Sequence, residues 1–150
     1  SPPARPTPSE PTQEQLSAQA EQVYRTFFAE WTRLERQGGA DQPTQALLDN
    51  GADYYLDSAM ALLRDQKEHQ RTVGGPLPVV TVTAAPGGDF DGVDPRLTLH
   101  VCEDHTAAWF TDETGRHSGL LAQGSVYLGQ RDGSIKVVGA STEVVDQCTL

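Results

Sequence analysis

Apolar residues recur at three- and four-residue steps through the first part of the chain. Leu16, Ala20, Val23, Phe27, Trp31 and Leu34 form one stripe, which Tyr24 and Phe28 widen. That period places them on one face of a helix. Thr12 stands at an N-cap position, with Gln15 as its capping-box partner. Gly38-Gly39 ends the run, because glycine reaches the left-handed conformation without a Cβ penalty. The pattern predicts one helix over 12–37. At ~1.5 Å per residue it is about 37 Å long, enough to cross most of a domain. A short second helix follows, with Asp41 or Gln42 as cap, Pro43 in its first turn and Asn50-Gly51 as its stop. A third is predicted over 52–71, where Tyr55, Ala59, Leu62, Leu63 and Gln66 recur at helical spacing. Arg64 to His69 reads as its solvated end.

The pattern then changes period. Eleven of the 12 valines lie after residue 72, and apolar and polar positions begin to alternate. Strands are predicted over 79–85, 96–102, 107–111, 120–131 and 134–145. Asp132-Gly133 joins the last two, and Asp-Gly suits the type I′ turn of a tight hairpin. Pairing across it sets Leu128 opposite Val137, Gln130 opposite Ile135 and Tyr127 opposite Val138. His100 alternates with Leu99 and Val101 and is expected to face outward. Helices first and strands afterwards define an α+β fold. A long amphipathic helix is covered only by a sheet that curls around it. The expected object is cone-like, with three N-terminal helices on the concave face of a curved antiparallel sheet of four to five strands.

Composition narrows the class. The 150 residues suit one domain, large enough to fold without a metal or dense disulfides. The formal net charge of −10 argues against nucleic acid, which is bound through Lys and Arg. No apolar run is long enough to span a bilayer. Pro2, Pro3, Pro6, Pro8 and Pro11 make residues 1–11 an extended, disordered tether and leave 12–150 as the folded domain. The start at Ser1 without a Met is explained equally by a removed leader or anchoring segment and by a piece cut from a longer chain.

The order long helix, short helix, medium helix and antiparallel meander resembles the nuclear transport factor 2-like (cystatin-like) superfamily. The resemblance covers roughly 11–148. It is carried by Val23-Tyr24-Arg25-Thr26-Phe27-Phe28 and by Gly133-Ser134-Ile135-Lys136-Val137-Val138. It looks most like the exported, often lipid-anchored domains of actinobacterial envelope proteins, which carry a proline-rich tether, a Cys in a middle strand and a Cys at the end. Cys102 and Cys148 stand at those places, and nine Arg against two Lys suit a high-GC genome. Two cysteines allow one intramolecular pairing, which would tie the C-terminus to the sheet and imply an oxidising compartment. The alternative is two buried thiols in a cytosolic protein. Too few ligands remain for zinc.

Candidate chemistry is sparse. Asp89, Asp91 and Asp94 resemble a calcium loop but depart from the EF-hand pattern, with a Gly at the fourth position and His100 where the bidentate Glu belongs. An acidic inter-strand loop is the plainer reading. Isomerases and cyclases of the resembled fold use an acid or base with a hydrogen-bond donor inside the cone. Here Trp31, Tyr55, Asp53 and Asp57 are the candidate cavity residues, although Tyr55 and Asp57 point to different helix faces. The favoured alternative makes Trp31 and Tyr55 core and the two aspartates solvated. No nucleophile elbow, phosphate loop or cofactor motif is found.

The functional expectation is an exported, membrane-tethered, non-catalytic binding or scaffold domain. Its partner is a protein or a small apolar ligand in the cone, its contact with a membrane comes only through an upstream anchor, and no cofactor is implied. Thr81, Thr83, Thr98 and Tyr127 on the outer sheet face suit a partner or a homodimer. The alternatives are an isomerase- or cyclase-type enzyme and an extracytoplasmic component of a secretion or conjugation system.

Overall fold

Helix α1 (Gln13–Arg36) is followed by α2 (Gln45–Asn50), α3 (Asp53–Glu68) and seven strands. These are β1 (Val73–Gly74), β2 (Val79–Ala84), β3 (Leu97–Asp104), β4 (Trp109–Asp112), β5 (Gly115–Ser118), β6 (Leu121–Arg131) and β7 (Ser134–Val144). This computed structural model describes residues 2–5, 10–85 and 96–150. The expected tether falls partly outside that range, at 1 and 6–9. The candidate cation ligands Asp89, Asp91 and Asp94 fall wholly outside it. Among the described residues, no helix is long and apolar enough to cross a membrane.

The fold is α+β, as the pattern predicts. The main sheet is four-stranded and antiparallel, in the order β2-β3-β6-β7. A second, three-stranded sheet has the order β1-β4-β5. The sequence reading placed the β4 segment in the main sheet and missed β1 and β5. Val73–Gly74 is too short to alternate, and the sequence Gly-Arg-His-Ser of β5 has no apolar residue that would reveal a strand.

Helix α1 forms as its pattern requires. Thr12 and Gln15 make the reciprocal capping box, with N···O distances of 2.8 and 3.1 Å. At the other end, Gly38 N–H donates to Glu35 O (3.1 Å) and Gly39 N–H to Leu34 O (3.0 Å). This is a Schellman closure, and both glycines hold positive φ. Gly39 also lets the chain approach α3, since a Cβ there would meet the backbone of Leu63 and Lys67. The close approach is held by Ala40 N–H donating to Leu63 O at 3.1 Å.

The core lies between these helices and one face of the main sheet. Tyr24, Phe27, Leu47, Leu63, Leu99, Val101, Val126, Leu128 and Val137 are all buried there. Phe27 is its centre, with ring centroids 4.9 Å from Tyr55 and 6.2 Å from Trp31. Its ring lies against the backbone of Gly51, where any Cβ would collide with it. Full burial of such rings stabilises by roughly 1.5–3 kcal/mol each.

Several boundaries move for identifiable reasons. The cap of α2 is Thr44, whose Oγ1 accepts from Leu47 N. Asp41 instead pairs with Lys67. Helix α3 stops at Glu68, because Gln70 is left-handed and Arg71 turns to Asp65 and Glu113. Across the Asp132-Gly133 turn, Leu128 pairs with Val137 and Gln130 with Ile135. Tyr127 pairs with Gly139, because the register shifts between Tyr127 and Leu128 and leaves Val138 extra.

Cys102 and Cys148 form a disulfide, with Cα atoms 6.2 Å apart. The tail runs over the outer face of β6 to reach β3. Val145 N–H donates to Leu121 O and Thr149 N–H to Gln123 Oε1, both at 2.9 Å. The bond closes a sequence separation of 46 residues. Replacing both cysteines with serine is expected to remove about 3–4 kcal/mol of stability in urea denaturation. A thiol titration of the unfolded native chain without reductant is expected to find no free thiol.

Candidate functional site

The proposed cavity set separates. Trp31 and Tyr55 meet, with ring centroids 6.1 Å apart in an edge-on arrangement, and both belong to the packed interior. Asp53 and Asp57 lie at the exposed surface. Asp53 forms an ion pair with Arg131 (2.9 Å), and both side chains are about half exposed. Such a pair contributes little. Leu97, Leu99, Leu128 and Val137 close over the same interior, so the region expected to hold a ligand is filled by side chains. His100 lies on the outer face, 3.4 Å from Ser125 Oγ. Among the described residues no group of three or more His, Cys, Asp or Glu side chains could hold a metal ion.

Polar groups converge at another place, where the end of α1 meets α3 and the small sheet. Fully buried Tyr24 donates through its hydroxyl to Glu103 Oε1 at 2.5 Å. Burial, with the Glu103 charge beside it, pushes the Tyr24 hydroxyl well above its ordinary range. Burial does the same for Tyr55. Both phenols therefore stay protonated, and Tyr24 acts as a donor. His105 Nε2 lies 3.9 Å from Glu103 Oε2, and its ring lies 5.8 Å from Phe28.

Glu35 occupies the last turn of α1. It is partly buried, and its carboxylate accepts a hydrogen bond from Gln66 Nε2 of α3 at 3.1 Å. Burial raises its pKa above the usual carboxylate range, and the like charge of Glu103 adds to this. The bond from Gln66 and the charges of His105 and Arg36 oppose the rise without overcoming it. Among the described residues Glu35 forms no ion pair. Its neighbour Arg36 is turned away to the carbonyls of Gly75 and Pro76. Gln66 Oε1, Trp31 Nε1 and Arg36 Nε are buried without a hydrogen-bond partner in this part of the fold. Such orphaned atoms are uncommon and mark a functional or hydrated spot.

A cleft of about 480 Å³ opens onto this cluster. One wall is α3, through Leu62, Asp65 and Gln66. The other is the small sheet, through Val73, Trp109, Phe110 and Thr111. Glu35, His105 and Ala108 lie between them, and Leu120 borders the opening. Leu62 and Leu120 are 52% and 53% exposed, so apolar surface flanks the entrance. The far wall is held firmly. The Trp109 indole fills the space that a side chain at Gly74 would take, and the Arg116 guanidinium lies 3.6 Å from the ring centroid. Arg71 fastens the small sheet to α3 by bridging Asp65 (2.8 Å) and Glu113 (3.1 Å). A larger depression, about 640 Å³, lies between the start of α1 and the β6–β7 hairpin, but Gln19, Gln22, Asn50 and Gln130 give it no convergent chemistry.

None of the cleft residues was singled out as a functional candidate from sequence. A signal for Glu35 existed, since Phe27, Trp31 and Glu35 are spaced four apart and a carboxylate therefore continues the apolar stripe. Gln66 likewise stands at an apolar-stripe position of α3. A polar residue on a buried face is the informative exception.

No family model matches the chain, and no curated protein matches its sequence. Among solved structures it is similar to the intermembrane space region of the chloroplast protein ARC6, with a TM-score of 0.57 and 10% identity. The match covers 86% of this chain and 97% of that one. At this identity the likeness speaks for the fold.

Glu35 carries a stability signature. Its folded-state pKa lies above the unfolded one, so the native state holds the extra proton between the two. Its contribution is full below the ordinary carboxylate range and is lost as pH rises through the folded-state value. Glu35→Gln removes that loss. In paired urea titrations the variant is expected to be at least as stable as the native chain near pH ~7, with the gap closing toward pH ~4. A variant less stable at neutral pH would show that the charged form is held by its contacts.

Proposed function

We propose that this is a non-catalytic binding domain of the nuclear transport factor 2-like kind, working outside the cytoplasm, with its ligand in the cleft between α3 and the small sheet. The observation that carries the reading is the pairing of a filled interior with an open, apolar-flanked cleft of about 480 Å³. Small-molecule sites commonly occupy about 300–1,000 Å³, with mostly apolar walls and a few placed polar groups. The Cys102–Cys148 disulfide supports an oxidising compartment. A region described as belonging to an intermembrane space is similar in fold. The proline-rich start suits a tether to an upstream anchor.

An isomerase- or cyclase-type activity finds less support. Tyr24 and Glu103 have suitable chemistry, yet Tyr24 is enclosed in the core and faces no open volume at which a substrate could react. General acid–base catalysis needs hydrogen-bond reach to the reacting atom.

The test uses a neutral apolar fluorophore, N-phenyl-1-naphthylamine. Its emission is expected to rise on addition of the native domain. Leu62→Glu places a charge at the cleft entrance without disturbing the core. It is expected to weaken binding about tenfold or more, with an unchanged circular dichroism spectrum. No enhancement by the native chain, or equal enhancement by the variant, would overturn the cleft as the binding site.

A further inference from the structure

We infer that the cleft ligand is a small amphiphilic amine, with its ammonium group against Glu35 and its apolar body between Leu62 and the Trp109-Phe110 wall. This rests on the cleft being the binding site and adds the chemical class of its occupant. The argument begins with Glu35. A carboxylate withdrawn from water is costly unless it is paired. Arg36, next in sequence, is committed to two carbonyls, Arg71 on the cleft wall to Asp65 and Glu113, and His105 lies 3.9 Å from Glu103. Glu35 is left with the amide of Gln66, and the other atom of that amide, Oε1, is a buried acceptor without a donor. The carboxylate and this acceptor both ask for hydrogen-bond donors and for positive charge. An ammonium supplies three donors and one charge.

The walls define the rest of the ligand. Leu62, Val73, Trp109, Phe110 and Leu120 supply apolar contact beside the carboxylate, which suits a hydrocarbon body next to a cationic head. The size fits one small molecule. A stable protein partner covers about 800 Å² on each side, far more than a cleft of this size presents.

The charged and titratable groups around Glu35 and its cleft are Glu103 and His105, from β3 and the loop after it, Arg36 on its own helix, Asp65 and Arg71 across the cleft, which pair with each other, and Asp112 of β4, which pairs with His117. Lowering pH protonates Glu35, which weakens amine binding, so affinity is expected to fall toward pH ~5.

The experiment is displacement of the bound fluorophore by octylamine, octanol and octanoate near pH ~7.5. These probes share a chain length and differ in head-group charge. Octylamine is expected to displace at least tenfold more effectively than octanol, with octanoate weakest. In Glu35→Gln the preference for octylamine over octanol is expected to shrink to about twofold or less, with octanol unchanged. Should Glu35→Gln not fold, the native chain alone decides, because the octylamine preference must fall between pH ~7.5 and ~5 while octanol stays level. Octanol matching octylamine in the native chain would overturn the amine assignment and leave the cleft as an apolar site. Equal octylamine preference in the native chain and Glu35→Gln would overturn the role of Glu35. Fluorophore that binds and is displaced by none of the three would also overturn the inference. Fluorophore that never binds would remove the binding reading itself.

Discussion

The rest of the structure depends on the burial of one face of α1 by the main sheet. Tyr24 and Phe27 are fully buried on that face, and the sheet answers with Leu99, Val101, Val126, Leu128 and Val137. Two close approaches follow from seating a large ring so deeply. The chain entering α3 must pass Phe27 at Gly51, where no side chain fits, and the chain leaving α1 must pass α3 at Gly39. Helix α3 is therefore located by α1 at both ends. Once it is located, the last turn of α1, the last turns of α3 and the small sheet have to meet. The cleft is the space left at that junction.

Periodicity carried the three helices, because each buries one stripe and the stripe is written locally. The same holds for β3 and β6, where Leu97, Leu99 and Val101 and then Val126 and Leu128 are buried in alternation, and for the Asp132-Gly133 turn. The Tyr127 register was not legible, since a bulge is decided by which of two adjacent residues leaves the ladder and Val138 and Gly139 do not announce it. The small sheet was hidden for a different reason. Its strands are held by Thr72 and Thr111, by Arg71 and by the seating of Trp109 on Gly74, and none of these contacts has a sequence period.

The site shows the same division more sharply. Trp31 and Tyr55 were legible as aromatic residues on facing helices, and they do meet. They pack against Phe27 as part of the core, the favoured alternative to a cavity between them. Glu35, Gln66 and His105 come from separate elements, 31 and 39 residues apart in sequence. Glu35 and Gln66 each stand out only as a polar residue on an apolar stripe, and His105 does not stand out at all. The contact of α1 with α3 brings Glu35 against Gln66, and the small sheet closes the same junction.

Filling the cone also explains why the cleft carries the unbalanced chemistry. In the interior fully buried Tyr24 is answered by Glu103, to which its hydroxyl donates. At the junction the helices end, and the side chains that could neutralise Glu35 are recruited to hold the small sheet in place. Arg36 and Arg71 both tie that sheet to the helices. The anchoring of the cleft wall and the missing partner of Glu35 thus have one cause. Arg36 and Arg71 help hold the wall opposite the carboxylate, and among the described residues Glu35 is left with the Gln66 amide as its hydrogen-bond donor.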